Sequence, residues 1–440
     1  MPCEPRSAPE LMQIAHSGAP CASQHGCNGF FFCFFLDFCL DFAEDFRFFR
    51  FFGEDFLGGL SGSPVKSITA AADIFSFGKG FRIFSAYNFA RAEYFWVETR
   101  STTMDHLAEH GWQVVPGVLT PAECEAVKRG MWDHAESILP EVSRDNPATW
   151  RSIVKKLYPS HGMLHQHHRF GVCQAAFDVR QNPKVARAFE GVWGTAALTS
   201  SIDGVAFGLP PETTNLGWEN KGWLHLDQSP TRNGFECVQG WVTAEEVGEG
   251  DATLRVLSGS HKLHAEFAAH FNLHVAEGDS KAARAKKKTD WFKLTDEHVA
   301  WYLAKGCEVV DVQCPAGSQV LWDSRTVHSG KSPTKGRAVP RHRYVVYTSY
   351  LPTSCLTPKL AEKKRKAVMA GRMTSHWADC RKLFGKNPRT YGQPLVEMPA
   401  YVPPRLTRRG AALFGWHNAV DACPFLIPKR KREEEETSNE

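Results

Sequence analysis

Two short stretches, far apart in the chain, carry side chains that could bind a metal ion. His225 and Asp227 are separated by one residue, so in an extended strand both point to the same face while Leu226 points to the other. His328 closes a short β-like run and could supply a third ligand if the two strands face each other in a barrel. Two histidines and one carboxylate on one face, with other positions open, suit iron(II). The sequence therefore predicts a metal centre at His225, Asp227 and His328.

The surrounding residues strengthen this prediction. A His-x-Asp pair alone is common, and most such pairs are surface groups or hydrogen-bonded polar groups. Here the pair lies between aromatic and aliphatic residues, and a glycine turn with an apolar run over residues 315–322 precedes His328. Short apolar runs bounded by glycine and proline are typical of strands.

These stretches resemble the phytanoyl-CoA dioxygenase family, which belongs to the iron(II)- and 2-oxoglutarate-dependent oxygenases. The resemblance extends over roughly residues 104–352, and residues 111–119 look like the family's usual opening strand. The other segments that carry it are residues 225–227, 239–242, 254–261, 322–328 and 343–347. The resemblance implies iron(II), 2-oxoglutarate and dioxygen as cofactors, with ascorbate as a further candidate.

The resemblance also implies residues that bind the co-substrate. Arg343 best matches the family arginine that binds the distal carboxylate of 2-oxoglutarate, a task that suits a charged, bidentate side chain. Arg341 and Arg337 compete with it, because the loop over residues 329–340 is longer than the family pattern predicts. Arg341 and Arg343 would share a strand face, so the choice is left open as a question of register. Trp241 matches a family tryptophan that lines the co-substrate pocket, and a barrel-core aromatic is the alternative.

The activity that this resemblance implies is hydroxylation of a C–H bond in a small organic or lipid-like substrate, coupled to decarboxylation of 2-oxoglutarate. One alternative is a metal-dependent barrel enzyme that is not an oxygenase, an isomerase or hydrolase using zinc or manganese on the same ligands. A binding protein of the same fold without activity is disfavoured because all three ligands are present. The identity of the substrate is left open, and the residues considered as facing it are His165, His168, Asp203 and Arg255.

Strand-like runs fill the chain from about residue 198 to residue 351. They lie at residues 200–208, 222–227, 235–247, 253–257, 308–312, 318–323 and 341–351. Each is short, apolar or alternating, and bounded by glycine or proline. The series predicts a mainly β fold with flanking helices, whose core is a double-stranded β-helix of the jelly-roll or cupin type.

Helices are predicted on both sides of these strands. A capping box over residues 120–123, with proline at the first helical position, begins a helix through about residue 139. Further helices are predicted over residues 183–193 and 358–372, and a helical insertion over residues 265–305. The insertion carries a basic run, residues 281–288, predicted as a solvated face with anion binding as the alternative. Histidines within residues 161–168 are predicted as loop or pocket residues rather than metal ligands.

Composition favours one large catalytic domain with appendages. The chain has 440 residues, of which 42% are hydrophobic and 23% charged. A formal net charge of +4 gives no argument for a nucleic-acid partner, and the expected partner is a small-molecule substrate. The 13 cysteines form no Cys-x-x-Cys pair, which favours reduced thiols and an intracellular, cytoplasmic protein, with the nucleus or an organelle as alternatives. The oligomeric state is left open.

The two ends of the chain differ in composition from its middle. Residues 1–103 include a phenylalanine-rich tract, residues 30–56, that charged residues interrupt too often for a transmembrane span. This region is predicted to be disordered or outside the functional domain, with a targeting or membrane-surface segment as the alternative. The catalytic domain is predicted over residues 104–427, and a charged tail over residues 428–440. The basic start of that tail is either a nuclear import signal or simply solvated.

Overall fold

The computed structural model describes residues 105–157, 164–218, 222–388 and 394–428, and for residues 283, 285 and 286 only the backbone. All of these residues belong to one of two compact units into which the chain divides, Ala86–Glu440. The phenylalanine-rich tract, His161 and residues 429–440 lie outside the described residues, so the predictions made for them stay predictions.

Two antiparallel sheets form the centre of the described region. The strands are β1 (Trp112–Val115), β2 (Leu164–His165), β3 (Leu198–Ser200), β4 (Val205–Gly208), β5 (His225–Leu226), β6 (Val238–Thr243), β7 (Thr253–Ser258), β8 (Phe292–Lys293), β9 (Glu308–Asp311), β10 (Gln319–Asp323), β11 (His328–Lys331) and β12 (Arg343–Pro352). The larger sheet has the order β1-β10-β6-β12-β4-β2, and β3 also pairs with β12. The smaller sheet has the order β8-β5-β11-β7-β9. The predicted double-stranded β-helix is therefore confirmed.

Strand periodicity explains how the sheets pack. In β10, Val320 and Trp322 belong to an apolar cluster that also contains Val256 from the smaller sheet. Leu321, between them, belongs to a different cluster that contains Phe189 from a helix. Because alternate residues of a strand face opposite sides, β10 presents one side to the smaller sheet and the other to a helical layer. The core thus has an inter-sheet layer and a sheet-helix layer.

Some predicted strand limits were wrong. The run that was expected to close at His328 is two strands, because β10 ends at Asp323 and His328 opens β11. Between them the Asp323 carboxylate accepts a hydrogen bond from the backbone N–H of Arg325, which stabilises a turn. The run over residues 200–208 likewise divides into β3 and β4. The last core strand begins at Arg343 rather than at residue 341.

Helices cover the outer faces of both sheets. They are α1 (Pro121–Ile138), α2 (Arg151–Leu157), α3 (Gln174–Gln181), α4 (Pro183–Trp193), α5 (Pro211–Thr214), α6 (His264–His270), α7 (Lys281–Lys287), α8 (Asp296–Ala304), α9 (Pro358–Met369) and α10 (Arg408–Ala411). The capping box that was predicted for α1 is present, since Thr120 and Glu123 exchange hydrogen bonds. None of the described helices has the length and apolar composition needed to cross a bilayer.

The segment between β7 and β9 packs against the smaller sheet. It contains α6, α7 and α8, as expected for a helical insertion, but also the short strand β8, which pairs with β5. Phe267 of α6 and Tyr302 of α8 are fully buried in a cluster with Leu226 of β5. This packing supports the strand that carries His225.

Candidate metal centre

Pairing between β5 and β11 brings the two predicted histidine ligands together. His225 and His328 are direct partners in this antiparallel pair, and their ring centroids lie 4.3 Å apart. Asp227 follows β5, with Oδ1 3.6 Å from Nε2 of His225 and Oδ2 3.4 Å from Nε2 of His328. One donor atom from each of the three residues lies within 4.8 Å of the other two. Residues far apart in the chain thus form one compact donor set.

The hydrogen bonds of the two imidazoles suit a metal site. Nδ1 of His225 lies 3.1 Å from the carbonyl oxygen of Trp223, and Nδ1 of His328 lies 2.9 Å from that of Thr326. A carbonyl oxygen can only accept, so each Nδ1 carries the proton and each Nε2 keeps a free lone pair. Burial, reinforced by the nearby His225, lowers the pKa of His328 and favours its neutral form. In both rings Nε2 is therefore the atom that could bind a cation.

Asp227 is held as a carboxylate. Burial by itself raises the pKa of an acid, but the neighbouring imidazoles of His225, His376 and His328 keep the pKa of Asp227 well below its usual range. The side-chain amide of Gln239 donates to Oδ2 over 3.0 Å and fixes the orientation of the group. A carboxylate beside two imidazoles is a donor set that fits iron(II).

Arg343, the first residue of β12, presents an unsatisfied donor beside this site. The residue is 6% exposed, and its Nη1 donates to the carbonyl oxygen of Ala252. Its guanidinium carbon lies 5.4 Å from the ring centroid of Trp241, and Tyr347 shares a hydrogen bond with it. Nε of Arg343 has no hydrogen-bond partner among the described residues. A buried guanidinium with a donor to spare fits the carboxylate of 2-oxoglutarate.

The competing arginines lie on the loop before β12 and are engaged by acids. Arg341 pairs with Glu246 at 2.9 Å and with Asp251 at 3.3 Å. Arg337 pairs with Glu212 and Asp251, each at 2.8 Å. Arg341 therefore does not share a strand face with Arg343, contrary to the sequence prediction, because the strand begins two residues after it.

Trp241 lies both in the barrel core and in the cavity wall. It is completely buried in the inter-sheet cluster, and it also lines the cavity beside the metal-binding residues. Its Nε1 has no hydrogen-bond partner within the described part of the chain. The Trp241 side chain is therefore part of both the barrel core and the cavity wall.

An open cavity of about 1210 Å³ is lined by the three candidate metal ligands and by Arg343. Strands of both sheets and the segment after α9 contribute to its walls. Its aromatic lining residues are Trp223, Trp241, Trp291, Trp322, Tyr347, Trp377 and Phe384. This volume accommodates a co-substrate together with a second organic molecule.

Of the four residues considered as facing the substrate, only Asp203 lines this cavity. His165 is buried, and its ring stacks on that of Phe170 with centroids 4.6 Å apart. Its Nε2 lies 3.2 Å from the carbonyl oxygen of Phe207. His168 is buried as well, and Arg255 pairs with Asp311 across the smaller sheet. The structure therefore does not place these three side chains in the cavity wall.

Sequence analysis missed His376. Its Nδ1 lies 3.8 Å from Oδ2 of Asp227, and the residue lines the cavity together with its neighbours Ser375 and Trp377. This segment follows the barrel and lies outside the strands. Because it has no fixed spacing to the metal-binding residues, no sequence pattern connects the two.

Comparison with known proteins identifies relatives of this chain. Residues 107–338, more than half of its length, match the family described as phytanoyl-CoA dioxygenase. "Ava biosynthesis cluster protein O" of Aspergillus versicolor is 29% identical over 192 residues, or 44% of this chain. The match spans 59% of that relative's own length.

Among solved structures, the epimerase SnoN in complex with Fe3+, alpha ketoglutarate and nogalamycin RO is 15% identical, with a TM-score of 0.37 over 58% of this chain and 84% of that one. EctD from S. alaskensis with bound Fe is 12% identical, with a TM-score of 0.36 over 57% of this chain and 75% of that one. The match over residues 107–338 contains His225, Asp227 and His328. By that match the chain belongs to the phytanoyl-CoA dioxygenase family.

Proposed function

We propose that this protein is an iron(II)- and 2-oxoglutarate-dependent dioxygenase that hydroxylates a C–H bond of a small organic substrate. The observation that carries the proposal is the convergence of His225, Asp227 and His328 within 4.8 Å, in a cavity that also contains a buried arginine with a free donor. Iron(II) and 2-oxoglutarate are the cofactors of the family to which the chain belongs.

In this proposal the three donors hold the ion on one face. His225 and His328 bind through Nε2, because their Nδ1 atoms are occupied by backbone carbonyl groups. Asp227 supplies one negative charge, and Gln239 keeps its carboxylate in a fixed orientation. With an aspartate in this position no ligand site is left for chloride, which disfavours halogenation.

Arg343 would receive the distal carboxylate of 2-oxoglutarate. Its Nε has no partner in the described chain, whereas Arg341 and Arg337 are held by Asp251 and neighbouring glutamates. Trp241 restrains the guanidinium from one side, and Tyr347 can share the bound carboxylate. A metal-dependent isomerase or hydrolase would have no use for a buried guanidinium with a spare donor in the same cavity.

The cofactors, when bound, supply oxidation of a C–H bond coupled to decarboxylation of 2-oxoglutarate to succinate. The residues of the chain orient the substrate and limit the access of water. Trp223 stacks on His225 with ring centroids 4.6 Å apart and an interplanar angle of 8°, so an apolar surface covers one side of a metal ligand. The ring centroid of Trp322 in β10 lies 5.4 Å from that of His328 in β11.

The test is reconstitution of the full chain with iron(II) without oxygen. Addition of 2-oxoglutarate is expected to produce an iron-to-ligand charge-transfer absorption band, and admission of oxygen is expected to release succinate. Asp227→Asn should lose the band, whereas Asp311→Asn, which breaks an ion pair on the smaller sheet, should keep it. Absence of the band in the unaltered protein at saturating iron(II) would overturn the proposal.

Hydroxylation itself is tested by isotope labelling. With ¹⁸O₂, a hydroxylase is expected to place one labelled oxygen atom in the product and the other in succinate. Label in succinate with none in the product would favour an oxidation without hydroxyl transfer. A reaction that proceeds with zinc and without 2-oxoglutarate would instead favour the isomerase or hydrolase.

A further inference from the structure

Three consecutive residues of the cavity wall have polar side-chain atoms without partners. Ser375, His376 and Trp377, here called the 375–377 strip, all line the cavity. Oγ of Ser375, Nε2 of His376 and Nε1 of Trp377 are buried and have no hydrogen-bond partner among the described residues. Ser375 is 6% exposed and Trp377 2% exposed. Since buried polar groups are normally hydrogen-bonded, three adjacent exceptions in one cavity wall indicate a missing polar ligand.

The backbone of the strip is firmly held, in contrast to its side chains. The N–H of Thr374 donates to the carbonyl oxygen of Ile202 over 2.8 Å, and that of Ser375 to Lys382 over 3.3 Å. The buried ammonium group of Lys364 donates to the carbonyl oxygen of Ala378. These contacts fix both ends of the strip, so its unpartnered atoms are preorganised rather than free to find partners.

The strip lies against the metal-binding residues. Nδ1 of His376 is 3.8 Å from Oδ2 of Asp227. The guanidinium carbons of Arg381 and Arg232 lie 3.9 Å and 5.3 Å from the ring centroid of Trp377. These cation–π contacts restrain the orientation of the indole. A molecule that hydrogen-bonds to the strip would therefore be held beside the proposed iron site.

Several charged groups around the cavity are paired with side chains of opposite charge. Arg381 pairs with Asp379 at 2.7 Å, and Asp290, another lining residue, pairs with Arg232 at 2.7 Å. Arg337 and Arg341 are held by acids as described above. A polyanionic ligand would have to break these pairs, whereas an uncharged one would not. The aromatic walls favour a flat ring system.

We propose that the 375–377 strip is the substrate-recognition element of this enzyme and that it binds an oxygen atom of an uncharged, ring-containing substrate bearing a hydroxyl or carbonyl group. The inference rests on the proposed function and names the substrate class for that site. The Trp377 indole N–H can only donate, and the Ser375 hydroxyl can donate or accept, so an oxygen acceptor matches the strip. The strip lies outside the part of the chain that matches the family, as expected for an element that sets the specificity of one member.

The experiment measures binding apart from turnover. The full chain with iron(II) and 2-oxoglutarate, kept without oxygen, is dialysed to equilibrium at pH 7 against 2-naphthol, naphthalene or 2-naphthyl phosphate. The unaltered protein is expected to bind 2-naphthol about tenfold more tightly than either of the other two probes. His376→Phe and Trp377→Phe keep the aromatic surface but remove the polar atom, and each should weaken 2-naphthol binding about three- to tenfold. Neither should change naphthalene binding.

The control variant is His270→Phe, at an exposed histidine of α6 that does not line the cavity, and it should bind all three probes normally. The inference is overturned if both strip variants bind 2-naphthol as the unaltered protein does, if the phosphate binds more tightly, or if 2-naphthol does not bind. The charge-transfer band, recorded in the same samples, reports the proposed function separately. If the band is absent but the protein still binds 2-naphthol selectively, the oxygenase proposal fails while the assignment of the 375–377 strip as the recognition element stands.

Discussion

Asp227 is the residue on which the donors of the candidate site converge. The nearest imidazole nitrogens of His225, His328 and His376 lie 3.4 to 3.8 Å from its carboxylate oxygens, and Gln239 donates to it. Arg343 lines the same cavity with an unsatisfied Nε. The site thus combines a carboxylate that could bind a metal ion, Asp227, with a guanidinium that could bind a carboxylate, Arg343. Each can be tested by its own substitution.

The two arginines before and at the start of β12 should respond differently to substitution. Arg343→Lys removes the bidentate geometry and is expected to weaken 2-oxoglutarate binding about 10- to 100-fold, the effect of losing a charge-assisted pair. Arg341→Lys alters a side chain that Glu246 and Asp251 already occupy, so the expected change is less than about threefold. Titration of the charge-transfer band with 2-oxoglutarate measures both, and equal losses in the two variants would contradict the assignment of Arg343.

Asp203 makes a pH-dependent contribution to stability. Burial raises the pKa of this carboxyl group to about 6 from 3.8, so the fold favours its neutral form. The stabilisation is complete below pH 3.8 and is lost as the pH rises through 6, a total of about 3 kcal/mol. Asp203→Asn mimics the neutral acid, so its stability does not depend on this ionisation. The difference in free energy of unfolding, variant minus unaltered protein, is expected to increase by about 1 kcal/mol from pH 5 to pH 7.

Urea unfolding at the two pH values measures this difference. Asp178→Asn, at an exposed acid of α3, serves as the control and should show the same pH dependence as the unaltered protein. A difference between Asp203→Asn and the unaltered protein that is independent of pH would mean that Asp203 is ionised throughout this range.

At the scale of elements, Lys364 connects α9 to the larger sheet and to Ala378, the residue that follows the 375–377 strip. Its fully buried ammonium group donates to Oγ1 of Thr199 and the carbonyl oxygen of Ser200 in β3, and to that of Ala378. Three elements that are not consecutive in the chain therefore share one cation.

Replacement of this lysine should loosen all three elements. Lys364→Met keeps the volume of the side chain but leaves buried carbonyl groups unpaired, and we expect a loss of about 2–4 kcal/mol in the free energy of unfolding. Lys366→Met, which alters an exposed pair with Glu362 on the same helix, should change stability by less than about 0.5 kcal/mol. Urea unfolding compares the two, and a similar small change in both would show that Lys364 does not connect the elements energetically.

At the scale of the whole molecule, the proposed ion would link two strands of the smaller sheet. His225 opens β5, Asp227 follows that strand, and His328 opens β11. A cation bound only by the folded chain stabilises it by mass action. The metal site should therefore be visible in global unfolding as well as in activity.

Iron(II) at a concentration 100 times its dissociation constant is expected to stabilise the fold by about 2.7 kcal/mol. The melting temperature without oxygen should rise by several degrees, and excess chelator should reverse the rise. Asp227→Asn should show a much smaller rise, whereas Asp311→Asn should respond like the unaltered protein. An unchanged melting temperature in iron(II) and in chelator would argue against a metal site formed by the folded chain.

Local features of the fold can be predicted from the amino-acid sequence alone. The capping box at Thr120, the helix Pro183–Trp193 and most strands follow from side-chain chemistry and periodicity within a few residues. The pairing of His225 with Asp227 is also local, because residues two apart lie close in any extended chain. The prediction of His328 depended on its strand facing that of His225, and the pairing of β11 with β5 meets this condition.

Which of the neighbouring polar groups keep an unused donor or acceptor follows from three-dimensional packing and not from local sequence. Arg341 and Arg343 are alike in sequence, but Asp251 and Glu246 engage the first and not the second. His376 has no spacing relation to Asp227, yet packing after α9 brings them to 3.8 Å. The physical reason is that ion pairs and burial depend on residues distant in the chain. Side-chain type specifies what a group can bind, and three-dimensional packing determines whether that capacity is already used.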